Sequence, residues 1–397
     1  MRPRPREPTP IGWMHICLVT SKIFAVRDGV GDYAFRLAVE LAREHRVTLL
    51  TSTGMGEAGE REGVMILPVI PDWRPHGLRV LIRELRRLEP DVVNLQFEPH
   101  LYHRWGVNLW LPMAMLFLRW RGVRLITTVH EPFVPLTIWK WWLSGPIQRV
   151  ALYLLLWASR KVVVVISVWT RMLQRWFWWR AEDFVRIPVG SNVAPVDLSP
   201  EERQALRSRY GLPPTGVVVA VFSPLGSGKQ FDLVVRVWEI LAKRHTDLWL
   251  LLIGVEREEA RRRHPGAPTG SRVVYTGFVS GPEVSRLHQC ADLALAPYVD
   301  GVSARRTSTI SMMAHAVPLV GTRGPLTDLD IFEGSPIRLV PVGDEEGFVA
   351  AVDGLVVSRD LRLALGSRTR LFFERHFAWP VLGKQFFEVA AGACRRH

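Results

Sequence analysis

Cysteine is scarce in this 397-residue chain: Cys17, Cys290 and Cys394 stand far apart, with no metal-ligand spacing among them. That argues against a disulfide framework and fits a reducing, cytoplasmic compartment. Long apolar runs are missing too. The segment from Val107 to Leu118 and the shorter one from Val150 to Trp157 fall short of the roughly 18 to 20 residues a spanning helix needs, so no membrane crossing is expected. Met14 to Val19 is too short for a signal-peptide core and reads as a strand, which leaves residues 1–12, basic and proline-rich, as an expected flexible tail. Acidic side chains are outnumbered 38 to 51 by Lys and Arg, giving a net charge of +13 that favours anionic partners. They vanish altogether from residues 132–181 and from residues 301–327.

With 48% hydrophobic and 22% charged residues, the chain has the composition of a globular protein large enough for two domains. Short β-branched runs alternate with helical patterns throughout, the signature of parallel sheets covered by helices. The expected order begins with strand 14–21, a loop holding Gly29 and Gly31, a helix over 33–44 capped by Asp32, and strand 47–51. It continues through helix 78–88, strand 92–97, helix 107–120, strand 124–129, a helix near 146–159 and strand 161–166. After an irregular linker at 188–199 the rhythm restarts with strand 216–222, helix 231–243 and strands 248–253 and 273–275. Helix 281–289, strand 291–296, a helix after Arg306 and strand 317–320 follow. The expectation is an α/β protein of two doubly wound, Rossmann-like domains: 13–190 and 191–376, with a C-terminal helix in 377–397 packing back toward the first. Two such domains imply a cleft, with ligands outside the carboxyl ends of the strands.

Several loops sit where ligand chemistry belongs. Ser223-Pro-Leu-Gly-Ser-Gly-Lys229-Gln230 follows a strand and precedes a helix, but Ser223 replaces the first glycine and Gln230 the Ser/Thr of a triphosphatase loop. A lysine at the strand end, either solvated or aimed at a diphosphate, remains. Gly29 and Gly31 lack the third glycine of a dinucleotide fingerprint, leaving a tight turn or a ligand contact. His130 and Glu98 end neighbouring strands, where side chains point into the crevice. Glu98 could act as an acceptor contact, a base or a rim carboxylate. Arg305 and Arg306 open the helix in the acid-free window, either binding phosphate bidentately or standing solvated on a turn.

Taken in order, these pieces resemble the group 1 (family 4-like) retaining glycosyltransferases of GT-B fold. The resemblance rests on Asp28-Gly-Val-Gly-Asp-Tyr-Ala34, Asp91-Val-Val-Asn-Leu-Gln-Phe-Glu-Pro99, Thr128-Val-His-Glu131, Ile187-Pro-Val-Gly-Ser-Asn192, Lys229, Tyr275-Thr-Gly-Phe278, Ala291-Asp-Leu-Ala-Leu-Ala-Pro-Tyr298 and Pro318-Leu-Val-Gly-Thr322. It implies transfer of a sugar from a nucleotide-diphosphate donor, held by the C-terminal domain, to an acceptor held by the N-terminal one, without metal or other cofactor. Lys229 matches the family's donor lysine and His130 a histidine near the donor sugar. Retention then comes from same-face attack, with the departing phosphate accepting the acceptor's proton.

The chain departs from the family where relatives place two glutamates eight positions apart: Ser303 and Ser311 stand there, with Ala316 in place of a glycine. Leu225, Gln230 and Asp28 are further departures. Donor contacts are therefore expected from Ser303, Arg306, Ser311, Lys229, Gly29 and Gly31, while a non-catalytic relative serving as a binding or scaffolding subunit is the competing reading. Residues 132–181 hold seven Lys/Arg and eight of the sixteen tryptophans. Such a window suits the headgroups of an anionic membrane at the cytoplasmic face, as in relatives with lipid-linked acceptors, or equally an aromatic core and interface. Nucleic acid is not an expected partner, because no recognition module accompanies the window.

Overall fold

The computed structural model describes residues 13–24, 29–134, 142–222, 226 and 228–395. The expected tail at 1–12, Asp28, Trp139, Trp141 and Ser223 to Leu225 lie outside the described residues. The chain divides into two compact units, one running to Ile187 and resuming at Leu382, the other Pro188–Val381.

In the first unit, β1 (His15–Val19) is buried at every position, as a central parallel strand must be. Next come α1 (Gly29–Leu41), β2 (Arg46–Ser52), β3 (Gly59–Arg61), β4 (Val64–Ile70), α2 (Pro75–Leu88) and β5 (Val92–Phe97). They are followed by α3 (Pro99–Tyr102), α4 (Trp110–Trp120), β6 (Leu125–Val129), α5 (Ser144–Ala158), β7 (Lys161–Val164), α6 (Ser167–Trp176), a 3-10 turn (Trp178–Asp183) and β8 (Phe184–Arg186). The sheet order is β3-β4-β2-β1-β5-β6-β7-β8, parallel except for β3 against β4. The connection direction reverses between β1 and β5, so their carboxyl ends flank a switch point.

Two helix starts differ from the sequence expectation. The first helix begins at Gly29, which places Asp32 inside its first turn instead of at the cap. The helix expected from Val107 begins at Trp110, because Asn108 Oδ1 accepts from the Leu111 N–H (3.0 Å) and its amide donates to Trp73 O (2.8 Å). The β3–β4 hairpin was not anticipated. Its two-residue turn, Glu62 (φ 50°) and Gly63 (φ 78°), has the positive φ pair of a type I′ turn without the usual Asn-Gly signal.

The second unit holds α7 (Pro200–Arg209), β9 (Val217–Phe222), α8 (Phe231–Arg244), β10 (Leu248–Ile253), α9 (Arg257–Arg263), β11 (Val273–Tyr275), α10 (Gly281–Cys290) and β12 (Leu293–Ala296). Then come α11 (Thr307–Ala314), β13 (Leu319–Arg323), α12 (Leu329–Phe332), β14 (Arg338–Pro341), α13 (Glu345–Val357), α14 (Arg359–His376) and α15 (Trp379–Cys394). Its sheet is wholly parallel, in the order β11-β10-β9-β12-β13-β14, with the switch point between β9 and β12. A core of Val219, Val221, Val234, Leu250, Leu252, Phe348 and neighbours fills it. The division between units falls within α15. At one end Trp379 covers Gly190, where a Cβ would lie 2.6 Å from the indole, and donates to Ser191 O (2.9 Å); at the other Phe387 stacks on His45 (4.4 Å).

Candidate functional site

The second sheet's switch point carries the densest chemistry. The turn after β9 closes with Lys229 N–H on Gly226 O (3.1 Å) and then bridges to the second residue after β12, Lys229 against Tyr298. Gln230 fixes that junction: its N–H donates to Pro297 O (2.8 Å) and its amide to Tyr298 O (2.9 Å). The glutamine, at a position where the family resemblance leads one to expect glycine, is thus a fastening between two strand ends.

Lys229 is half-buried, donates to Phe222 O (2.6 Å), and lies 5.3 Å from the centre of the Tyr298 ring. Burial pushes its pKa down, Tyr298 opposes that, and Arg306 pushes it further down. The Arg306 guanidinium covers the same ring at 4.4 Å. Burial alone would raise the phenol's pKa, but Lys229, hydrogen bonds from Ser308 (2.7 Å) and Thr309 (3.1 Å), and Arg306 bring it below the ordinary tyrosine value. Asp300 takes Arg305 on Oδ2 (2.7 Å) and Arg306 on Oδ1. Between a phosphate-reaching pair and a solvated turn, the geometry is neither extreme: both arginines are largely buried, held by one carboxylate, and line the pocket.

That pocket, about 220 Å³, is lined by Gly226, Gly228, Lys229, Tyr298, Arg305 and Arg306, with Thr307 and Ser308 from the start of α11. Three cations face one carboxylate there, and the helix terminus adds partial positive charge. Such a recess selects for anions.

Ser303 and Ser311 are not among the lining residues. Ser311 is buried and bonded to His288 Nε2 (2.8 Å), inside a network in which His315 joins Ser311 O (2.7 Å) and Ser285 Oγ (2.8 Å). Ser303 is also fully buried, and its Oγ has no hydrogen-bond partner among the described residues. Beside it, Ala304 N–H donates to the buried Asp328 carboxylate (2.7 Å). Tyr298 as a lining residue and Asp300 as the partner of the two arginines went unnoticed in the sequence, because adjacency of the β9 and β12 ends is a product of sheet order.

At the first sheet's switch point, Gly29 is exposed, with open space where a Cβ would stand, and Gly31 is buried in the first turn of α1. Two residues on, Tyr33 meets the His130 ring edge-on (4.8 Å, 77°). His130 follows β6, with its N–H on Phe97 O (2.9 Å) and Nε2 2.8 Å from Gln96 Oε1. The Gln96 amide donates to Asn94 Oδ1, and Asn94 donates to Thr128 Oγ1 (2.9 Å). That chain of donors leaves Gln96 Oε1 to accept, so His130 Nε2 carries the hydrogen and Nδ1 is bare. Burial lowers the His130 pKa to about 3. It is a neutral imidazole, a hydrogen-bonding group and not a base at neutral pH. Glu98 is half-buried at the start of α3.

Comparison with known proteins agrees with this layout. Residues 27–195 match the family model described as Glycosyltransferase Family 4, and residues 214–357 that of Glycosyl transferases group 1. A GDP-mannose-dependent alpha-(1-6)-phosphatidylinositol monomannoside mannosyltransferase of Mycolicibacterium smegmatis is 23% identical over 94% of this chain and 98% of its own length. Among solved structures, sucrose-phosphate synthase of Thermosynechococcus elongatus superposes with a TM-score of 0.70 at 16% identity, covering 95% of this chain and 98% of that one. Anabaena HepE, crystallised with UDP and glucose, gives 0.68 at 14% identity over 96% and 100%. With both halves matched in chain order and both sheets doubly wound, the chain belongs to the group 1 glycosyltransferases of GT-B fold.

Proposed function

We propose that the protein transfers a sugar from a nucleoside-diphosphate donor, whose diphosphate sits in the Lys229–Arg306 pocket, to a glycan or lipid-linked acceptor, with retention and without a metal ion. The observation that carries this reading is the convergence of Lys229, Arg305 and Arg306 with the start of α11 on one recess beyond the carboxyl ends of β9 and β12. As the anomeric C–O bond lengthens, its electron pair moves onto the leaving diphosphate. Fixed cations aimed at that charge stabilise the transition state more than the ground state, the task a divalent ion performs elsewhere. The acceptor oxygen attacks from the same face and its proton passes to the departing phosphate oxygen, so no protein nucleophile is required. In this scheme the bare Nδ1 of His130 accepts a hydrogen bond from a hydroxyl of the transferred sugar and Glu98 contacts the acceptor.

The mycobacterial relative's name specifies GDP-mannose and a phosphatidylinositol mannoside, which supports putting that donor and a lipid-borne acceptor first in any screen. The test is binding and turnover of a panel of nucleotide sugars in the presence of chelator. Turnover of at least one donor, with the anomeric configuration kept in the product, is the expected result. No binding across the panel overturns the reading in favour of a non-catalytic relative.

A further inference from the structure

We infer that α4, α5 and the 3-10 turn form a face on which the protein seats against an anionic bilayer, a surface independent of the donor pocket. Both helices turn an apolar stripe to solvent at helical spacing: Trp110, Met113, Phe117 and Trp120 on α4, and Leu143, Ile147, Val150 and Trp157 along α5 and its cap. Trp120 is 77% exposed, Leu143 87% and Trp178 75%. Scattered exposed apolar residues are ordinary; a continuous aromatic face is not.

Contacts make this face continuous. The α4 and α5 helices pack side by side, and Arg119 on α4 donates to the Trp157 and Ser159 carbonyls at the end of α5. Arg180, in the 3-10 turn, donates to Ser159 O (2.8 Å) and Arg160 O (2.9 Å). Tyr153 of α5 stacks on Phe177 (4.8 Å), which touches Trp179 (5.5 Å), and Trp179 meets Trp178 (5.9 Å). The window 132–181 thus divides. Trp142, Trp157, Trp178 and Trp179 belong to this exposed face, joined by α4 from outside the window, while Trp169 and Trp176 pack against the core.

Charge selects the occupant. Across residues 99–181 the sole carboxylate is Glu131, and exposed Arg104, Arg119, Arg121, Arg171 and Arg175 accompany the indoles. Arg121 lies 5.9 Å from the Trp120 ring and 5.7 Å from that of Phe117. A second copy of the chain, joined about a two-fold axis, would bring these cations against themselves. A leaflet with anionic headgroups offers the opposite charge and a depth at which indoles settle, and no described helix is long and apolar enough to cross it.

The experiment is sedimentation of the full chain with vesicles of phosphatidylcholine alone or mixed with phosphatidylglycerol. The chain is expected to pellet with the anionic vesicles, to release in high salt, and to show a blue shift of tryptophan emission on binding. Replacing three exposed indoles together (Trp120→Ser, Trp157→Ser, Trp178→Ser), or reversing two rim charges (Arg121→Glu, Arg175→Glu), should each weaken partitioning about tenfold or more. Neither should alter nucleotide-diphosphate affinity, and Lys229→Ala should pellet like the wild type, so the two proposals fail separately. No pelleting, equal pelleting with both vesicle types, an unaffected triple variant, or a solution dimer that the triple variant splits each overturns the inference.

Discussion

Ala316 holds a backbone conformation (φ 57°) that glycine adopts at little cost and an L side chain does not. It stands just ahead of β13, at a position where the family resemblance leads one to expect glycine. Ala316→Gly is therefore predicted to stabilise the second unit by about 1 kcal/mol, read from urea denaturation; an unchanged or lower midpoint would contradict it. The same scale explains the pair of serines. Ser311 is absorbed by His288, whereas Ser303 is fully buried away from the pocket lining, its Oγ without a hydrogen-bond partner among the described residues.

At the scale of elements, the pocket depends on a loop set against a second backbone. Gly301 (φ 89°) leaves no room for a Cβ, which would fall 2.2 Å from Thr327 Oγ1 and 2.4 Å from Gly324 N. Gly301→Ala should destabilise the second unit by about 2 kcal/mol or more, and shift Asp300 so that nucleotide affinity falls with it. Full stability with wild-type affinity would show that the loop does not set the pocket. Most strands and covering helices were legible because parallel strands print as continuous apolar runs bounded by turn residues. Lys229, His130 and Glu98 were legible as strand-end residues for the same reason. The partners that give them meaning, Tyr298 and Asp300 around Lys229 and Gln96 beside His130, depend on which strands lie side by side. Strand order is not written in any local pattern. The short α6, α7 and α9 helices and the β14 edge strand likewise escaped, since a few polar turns carry little periodicity, and β4, α13 and α14 were not read from the sequence either.

Across the whole molecule, burial holds several histidines neutral in the folded chain: His130 with its pKa lowered to about 3, His288 well below its usual value, and His315 and His15 below theirs. Unfolding lets them take up protons near pH 6.5, so the stability they contribute is complete above that pH and is lost as pH falls below it toward the folded pKa. Each fully depressed histidine should remove roughly 1.4 kcal/mol between about pH 7.5 and about pH 5.5. Urea unfolding at the two pH values checks this; His130→Asn should reduce the first unit's pH dependence, and identical midpoints would contradict the account. Net charge of +13 adds to acid lability, because protonation only increases self-repulsion. Whether a fixed cluster of cations receives the donor's diphosphate is read from calorimetric titration of UDP and GDP, with chelator present, into the wild type and Lys229→Ala. The wild type is expected to bind at least one of them and the variant to bind it about tenfold more weakly or worse; equal affinity in the two proteins would contradict this role for the cluster.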